Sequence, residues 1–474
     1  MNARHSTTKT IVIIGGGVSG ALNAYHLVRQ HVDASVVVID PRPELGLGLP
    51  YSTPSLRHLL NVPAGKISAL LGKPNHFVNW LRRNSDPEAT VATFAPRAVF
   101  GQYVRSLLAG ASGLTPVQAL VVDLQEQGAG AVLTLDNGRR LWADFVVLAT
   151  GNFDRAGLPG VERAAVSSGA YRHNAWLPDT YSGLSPDAPV TLIGTGLTAV
   201  DVLLRLRELG HRGPITAVSR HGIFPNRHAP YTPTDRSAIP SGTPKTCVAY
   251  LRALRGSIAS GMEWRAAIDS LRASTNDLWI SLPLTEQRRF RRHLQRHWDV
   301  VRHRMAPPIA DLIEKELADG TLFIREGYLA SVQADQAGAT VSIRTARGTD
   351  GFETTRVINC TGPNMNYRGV DSPLLASLFK QGLATSGPLG GGFNTPRSGA
   401  LIALTGEGSE TIFNLGPGRL GTMLESIAIP EIRQQSVEIA SLLAVRCARH
   451  EPNPNLTLAS QYLAPPEIVI TAAV

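Results

Sequence analysis

The chain has 474 residues, 43% of them hydrophobic and 18% charged, which exceeds what one core supports and excludes long disorder, so two or three folded domains are expected. Its 46 Lys and Arg against 37 Asp and Glu give a net charge of +9, which suits anionic ligands without selecting nucleic acid. Cys247, Cys360 and Cys447 are too far apart in sequence for a C-x-x-C redox pair or a zinc knuckle, so no metal site is expected.

From the N-terminus, Thr10 to Ile14 is apolar and β-branched, Val18 to Arg29 has helical period, and Ser35 to Ile39 is apolar again, which predicts a β-α-β unit. Gly15, Gly16, Gly17, Asn23 and His26 interrupt the apolar run and argue against a signal peptide, leaving the cytoplasm as the expected location. The turn Gly15-Gly16-Gly17-Val18-Ser19-Gly20 fits G-x-G-x-x-G. Gly15 permits the tight turn, Gly17 lets a pyrophosphate approach backbone, Gly20 lets helix pack on strand, and Ser19 lies among the phosphate-facing residues. Asp40, at the end of the next strand, is placed to accept from ribose hydroxyls and to repel a 2′-phosphate, which points to FAD or NAD rather than NADP. Asn61 follows in an apolar setting; it is a candidate catalytic residue hydrogen-bonding a flavin edge, or else it orders its own loop.

Phe145 to Gly151 reads as a buried strand closing on Ala149-Thr150-Gly151, and Arg356 to Cys360 as a second closing on Thr361-Gly362-Pro363. Small residues there let backbone lie against a ligand, with Thr150 and Gly151 as cofactor contacts, and each strand marks a passage between domains. Between them Val190 to Ile193, the turn Gly194-Thr195-Gly196-Leu197-Thr198-Ala199, a helix to Leu209 and a strand from Ile215 to Ser219 make a second β-α-β unit. Gly194, Gly196 and Thr198 are its cofactor positions. Where the first unit has an acid, this one has Ser219 and Arg220; a guanidinium grips a 2′-phosphate, so the site is read as one for NADPH, the alternative being a surface arginine.

The expected fold is therefore α/β, with two Rossmann-like dinucleotide-binding domains, the second inserted in the first, and a helical elaboration. The boundaries are 1–185 and 355–474 for an FAD-binding domain and 186–354 for an NADPH-binding domain, with a helical insert at about 235–310 and short strands from Thr321 to Ile343. The basic stretch Arg288 to Arg304 reads as a helix with a solvated face or an anion-facing wall. Arg57, His58, Arg227, His228, His303 and Arg304 are substrate candidates because arginine forks match carboxylates; the alternatives are cofactor phosphates or solvent.

Four stretches carry a family resemblance: Gly46-Leu47-Gly48-Leu49-Pro50-Tyr51, His58-Leu59-Leu60-Asn61-Val62-Pro63-Ala64-Gly65, Arg302-His303-Arg304-Met305-Ala306-Pro307 and Pro430-Glu431-Ile432-Arg433. Over nearly its whole length the chain resembles a bacterial group of FAD/NAD(P)-binding, two-dinucleotide-binding-domain flavoproteins, which includes monooxygenases that N-hydroxylate aspartate on the way to nitrosuccinate. The resemblance implies an FAD-dependent, NADPH-using monooxygenase that hydroxylates a small anionic, possibly amine-bearing metabolite with O2 through a C4a-(hydro)peroxyflavin. No segment is long and apolar enough to span a bilayer and the scattered basic residues do not select nucleic acid, so no membrane or nucleic-acid partner is expected, and a homodimer is possible. Gly169, His173 and Trp176 resemble the G-x-x-x-H-x-x-x-W motif of class B flavin monooxygenases and make His173 a catalytic candidate, although only two residues separate His173 from Trp176. Phe413 to Gly418 resembles the closing strand and turn of related flavoproteins, with Gly416 beside the flavin; Pro417 replaces the aspartate usual there, leaving the ribityl contacts to Thr422 or backbone amides. The rival readings are an NAD(P)H-dependent reductase or dehydrogenase without oxygen insertion, and a non-catalytic flavin redox sensor.

Overall fold

The β-branched run Lys9–Ile14 pairs in parallel with Ala34–Asp40 on one side and Phe145–Leu148 on the other. In the computed structural model, which describes residues 8–448 apart from 156 and 337, these strands form the centre of a six-stranded sheet. Leu114–Gln118 extends it beyond Ala34–Asp40, and Gly408–Asn414 with Ala400–Ile402 extends it beyond Phe145–Leu148; only the last pairing is antiparallel. Continuous apolar strands are what a sheet covered on both faces requires. Ile11, Val12 and Ile13 are fully buried, as are Val146, Val147 and Leu148. The long helix Ile429–Ala448 covers one face and packs along helix Val18–Arg29, where Asn23 Nδ2 donates to the Ser436 carbonyl at 3.1 Å.

A second, five-stranded parallel sheet runs Leu322–Glu326, Ile215–Ser219, Val190–Ile193, Arg356–Asn359, Tyr171–Arg172. Both halves share one plan: an antiparallel three-stranded meander (residues 121–143 in one, 328–354 in the other) leads straight into the strand that closes on the central one. The architecture is thus α/β with two Rossmann-like parallel sheets.

Strand pairing moves the expected domain borders. Tyr171–Arg172 and Arg356–Asn359 fell in the expected FAD-binding pieces, yet both belong to the second sheet. Their backbone donors and acceptors need parallel partners, and Val190–Ile193 offers a free edge to Arg356–Asn359, so the first domain cannot keep them. The stretch Cys247–Arg302 folds as five short helices, two with side-chain caps: Thr246 Oγ1 accepts from the Ala249 amide, and the Glu263 carboxylate accepts from the Arg265 and Ala266 amides. Among the described residues no helix is long and apolar enough to cross a membrane.

The two halves are joined by a buried polar cluster. Arg97, at the start of helix Arg97–Leu108, donates to both oxygens of Asp201 on helix Leu197–Glu208, at 2.6 and 3.1 Å. His58 Nε2 donates to the Asp201 carbonyl at 2.9 Å; since a carbonyl only accepts, the proton is on Nε2 and Nδ1 accepts from the Thr53 hydroxyl at 2.7 Å. His58 is therefore saturated and 4% exposed, a structural histidine and not the substrate contact expected of it.

Candidate active site

Both glycine turns are built by contact with the end of a closing strand. Gly15 has φ +104°, and a Cβ there would stand 2.3 Å from the Ala149 carbonyl oxygen; Gly194 has φ +118°, and its Cβ would stand 2.8 Å from that of Cys360. A side chain at either place would push the strand end away. At Gly20 a Cβ would meet the Gly15 carbonyl oxygen at 1.9 Å, so helix Val18–Arg29 sits hard on its turn. Neither that helix nor Leu197–Glu208 has a side-chain cap at its start, Gly17 and Gly196 occupying the cap positions. Uncapped amides at a helix N-terminus are the donors an anion requires.

Both starts open on one cavity of about 770 Å³, within the range of small-molecule and cofactor sites. Gly15, Gly17, Ser19, Asp40, Thr150 and Gly151 line one part, Gly196 and Thr198 another, and Asn61 lies on the wall as well. Gly20, Gly194 and Gly416 are not on the lining; they shape it from behind. At Gly416 a Cβ would come 2.7 Å from Ser19 Oγ, its amide donates to Gln435 Oε1 at 3.0 Å, and its carbonyl accepts from the Ser426 hydroxyl at 2.7 Å. The closing turn is thereby fixed against the first glycine turn, with Pro417 facing the cavity. Thr422 is not on the lining, because its hydroxyl is engaged with Thr395 at 3.1 Å.

Asp40 is 2% exposed and accepts from the Gly16 amide at 2.7 Å, as a glycine-turn acid should. It is also gripped at 2.9 Å by Arg42 Nε and Nη2, a residue that sequence reading missed. Burial opposes the charge on Asp40, but Arg42 and the amide donors outweigh it and hold the carboxyl below its ordinary range. Its oxygens are thus shared between Arg42, the turn and any ribose hydroxyl.

The far wall is a helical face. On Gln295–Arg302 and just beyond it, Arg296, Asp299, Arg302 and His303 follow one another at the spacings of adjacent helical turns, and all line the cavity. Arg296 Nη2 donates to the Thr195 carbonyl at 3.1 Å and hydroxyl at 3.0 Å, stapling this helix to the second glycine turn. Gln295 Nε2 donates to Asp299 at 2.7 Å, and Arg302, 3% exposed, pairs with Glu425. The i, i+3, i+6, i+7 period inside Arg288 to Arg304 was the available signal for an inward-facing wall, and only His303 and Arg304 were taken from it.

Several other candidates are placed elsewhere. Arg57 and Arg220 are exposed and not on the lining. Arg227 is a surface residue paired with Asp311 and Glu314. His228 is buried against the loop, donating from Nε2 to the Asn61 carbonyl at 3.2 Å, so it positions Asn61 rather than facing the cavity. His173 Nε2 donates to the Arg155 carbonyl at 2.7 Å and is not on the lining, which the shortened spacing to Trp176 had foreshadowed. Arg304 is fully buried and pairs with Asp269, beside a second, smaller cavity.

Burial pushes His228 and His303 down to about 4, with Arg304 and Arg302 adding repulsion in the same sense. Folding therefore favours the neutral rings, and the stability they contribute is complete above pH 6.5 and is lost as pH falls from 6.5 toward 4. We expect the thermal midpoint to fall across that window and the fall to shrink in His228→Asn; a flat profile from pH 6.5 to 4 would contradict it.

The fold is that of the FAD/NAD(P)-binding flavoproteins, with two dinucleotide-type turns facing one space. Residues 12–153 match the family model described as FAD-NAD(P)-binding. Over 242 residues the chain is 25% identical to an uncharacterized Escherichia coli K12 protein, YdhS, a match covering 46% of this chain and 42% of that protein, so it spans less than half of this curated relative. Among solved structures, the ornithine N-hydroxylase of Kutzneria sp. 744, with reduced FAD, NADP+ and L-ornithine, is similar at a TM-score of 0.64 and 15% identity, covering 93% of this chain and 99% of that one. L-lysine 6-monooxygenase of Pseudomonas syringae gives 0.62 at 13% identity over 92% and 99%, and the bacillithiol disulfide reductase of Bacillus cereus 0.54 at 16% over 92% and 99%.

Proposed function

We propose that the protein is an FAD-dependent, NADPH-using monooxygenase that hydroxylates a small anionic metabolite. The observation that carries this reading is that two uncapped glycine-turn helices open on one cavity, which is what hydride passage between two dinucleotides requires. On this reading the first turn, with Asp40 and Arg42, holds FAD, and Thr150, Gly151 and Pro417 lie along it. Gly196 and Thr198 hold NADPH, with Arg220 at the end of the following strand reaching its 2′-phosphate. When bound, flavin would supply the redox chemistry, hydride uptake from the nicotinamide and electron delivery to O2, with one oxygen atom going to the substrate and the other leaving as water. The protein's part is to keep the space dry and the partners aligned. Leu47, Leu60, Val62 and Ile67 give one wall an apolar surface, which limits proton leakage and loss of peroxide. Asn61, with its backbone carbonyl held by His228, lines the same space.

The neighbouring bacillithiol disulfide reductase marks the rival within enzymes. Among the described residues Cys247, Cys360 and Cys447 are all buried, and none lines the cavity, which favours oxygen chemistry. The test is anaerobic mixing of the purified flavoprotein with NADPH and then with NADH. Rapid bleaching of the flavin by NADPH is expected; no bleaching by either would sink the assignment. In Arg220→Ala the KM for NADPH should rise by roughly tenfold or more while that for NADH barely moves, since a guanidinium–phosphate pair is lost in one case only. An unchanged preference would remove Arg220 from the site.

A further inference from the structure

Beside the cofactor cavity lies a second one of about 390 Å³ whose wall carries Lys66, Asp269, Arg272 and Arg433. Three segments separate the two cavities, and two of them contribute to both sides. In Gly65 to Ser68, Ile67 faces the larger cavity while Lys66 and Ser68 face the smaller. In 429–433, Ile429 and Ile432 face the larger, Arg433 the smaller, and Pro430 both. Arg302 and His303 line the larger, and Arg304, next in sequence, stands behind Asp269 of the smaller.

Charge on this wall is unbalanced. Asp269 alone is approached by Arg304, by Arg272 at 3.1 Å and by Lys66 at 3.4 Å, and the Tyr231 hydroxyl donates to it too. Burial opposes its charge, yet the surrounding cations and the hydroxyl hold Asp269 down at about 2. On the lining itself Lys66, Arg272 and Arg433 face the single carboxylate of Asp269, an excess of two positive charges. Arg304 is 0% exposed, and its Nε and Nη1 lack hydrogen-bond partners, as do Arg272 Nε and Arg433 Nε. Lys66, Arg272 and Arg433 on the lining carry positive charge that an anion entering the cavity compensates while supplying acceptors to their accessible donors. Burial raises Glu431, with repulsion from Glu425 in the same direction.

We propose that the smaller cavity binds a small dianion, a molecule carrying two carboxylates or a phosphate, and holds it one wall away from the cofactor cavity. The site stands on charge and shape alone and does not depend on the monooxygenase reading. Lys66, Arg272 and Arg433 grip the anionic oxygens, and Asp269 keeps the arginines in place. Selection is by charge, because a neutral or singly charged analogue leaves part of the excess uncompensated.

The test is calorimetric titration of the full flavoprotein at low ionic strength, without NADPH, using succinate, inorganic phosphate and acetate as probes. Saturable binding of succinate or phosphate is expected, with acetate roughly tenfold weaker or worse. Tighter binding of succinate identifies a dicarboxylate site and tighter binding of phosphate a phosphate site. Lys66→Met and Arg272→Gln should each weaken the preferred dianion by about tenfold, with unchanged absorbance at the flavin band showing that the fold survives. Arg272→Lys should recover part of the loss. No saturable heat from either dianion, or binding indifferent to both substitutions, would overturn the proposal. Succinate or phosphate binding to a protein whose flavin NADPH fails to bleach would leave this site standing and remove the redox reading.

Discussion

Gly15→Ala should yield protein that retains roughly a tenth or less of its flavin, read as the ratio of flavin to protein absorbance, because the turn that presents the phosphate-binding amides cannot form around a Cβ. The clash is with backbone: the Ala149 carbonyl oxygen at 2.3 Å and its carbon at 2.7 Å. Relief requires moving Ala149 and Thr150, both on the cavity lining, so damage to the strand end and loss of the ligand coincide. The left-handed backbone at φ +104° adds strain of about 1–2 kcal/mol. Gly138→Ala is the control. Its φ is +79° but nothing stands within 4 Å of a Cβ, so it should carry similar strain and keep its flavin. Equal flavin in the two variants would show that the first turn does not hold the cofactor.

Asp201→Asn is expected to cost roughly 3–5 kcal/mol of stability, since it leaves Arg97 without its carboxylate in a mostly buried place. The Arg97 and Asp201 side chains are 15% and 6% exposed and meet through two hydrogen bonds. The comparison that makes this falsifiable is Arg97→Met with Asp201→Leu: removing both charges together should be milder than removing one, because no orphan remains. Chemical denaturation of Arg97→Met, Asp201→Leu and the double variant, beside Asp201→Asn, reads it. If the double variant is as unstable as the sum of the singles, the pair is not an isolated buried couple. Because Arg97 lies on the cavity lining and Asp201 in the helix that begins at the second glycine turn, the Asp201→Asn protein should also be reduced more slowly by NADPH.

How far the sequence discloses this molecule depends on whether a feature is local. The two β-α-β units were legible because strand, glycine turn and helix lie within about thirty residues, and each residue type has one physical reason to be there. Asp40 was legible for the same reason, whereas Arg42, two residues on, was not, since no rule of spacing distinguishes a guanidinium that folds back on the acid from one in solvent. The borders failed because Tyr171–Arg172 and Arg356–Asn359 declare their sheet only through pairing with Val190–Ile193, which is non-local information. His58, His228 and Arg304 were singled out for polarity in apolar surroundings. Their partners, Asp201, the Asn61 carbonyl and Asp269, come from distant segments, so sequence alone left site and scaffold looking alike. Lys66, Asp269, Arg272 and Arg433 converge from three separate stretches and have no sequence signature at all.

The order in which the first sheet is assembled has a consequence for biosynthesis. Phe145–Leu148 pairs with Gly408–Asn414, Asn414 Nδ2 donates to the Leu148 carbonyl at 3.1 Å, and Gly416 closes over Ser19. During translation the N-terminal glycine turn therefore emerges hundreds of residues before the strand, turn and helix that complete its surroundings, and the second parallel sheet can fold in the interval. Until residues 408–448 leave the ribosome, the edge of Phe145–Leu148 is open and the face of helix Val18–Arg29 that packs on Ile429–Ala448 is bare. A truncation before that last helix is therefore expected to leave the surroundings of the first glycine turn unfinished.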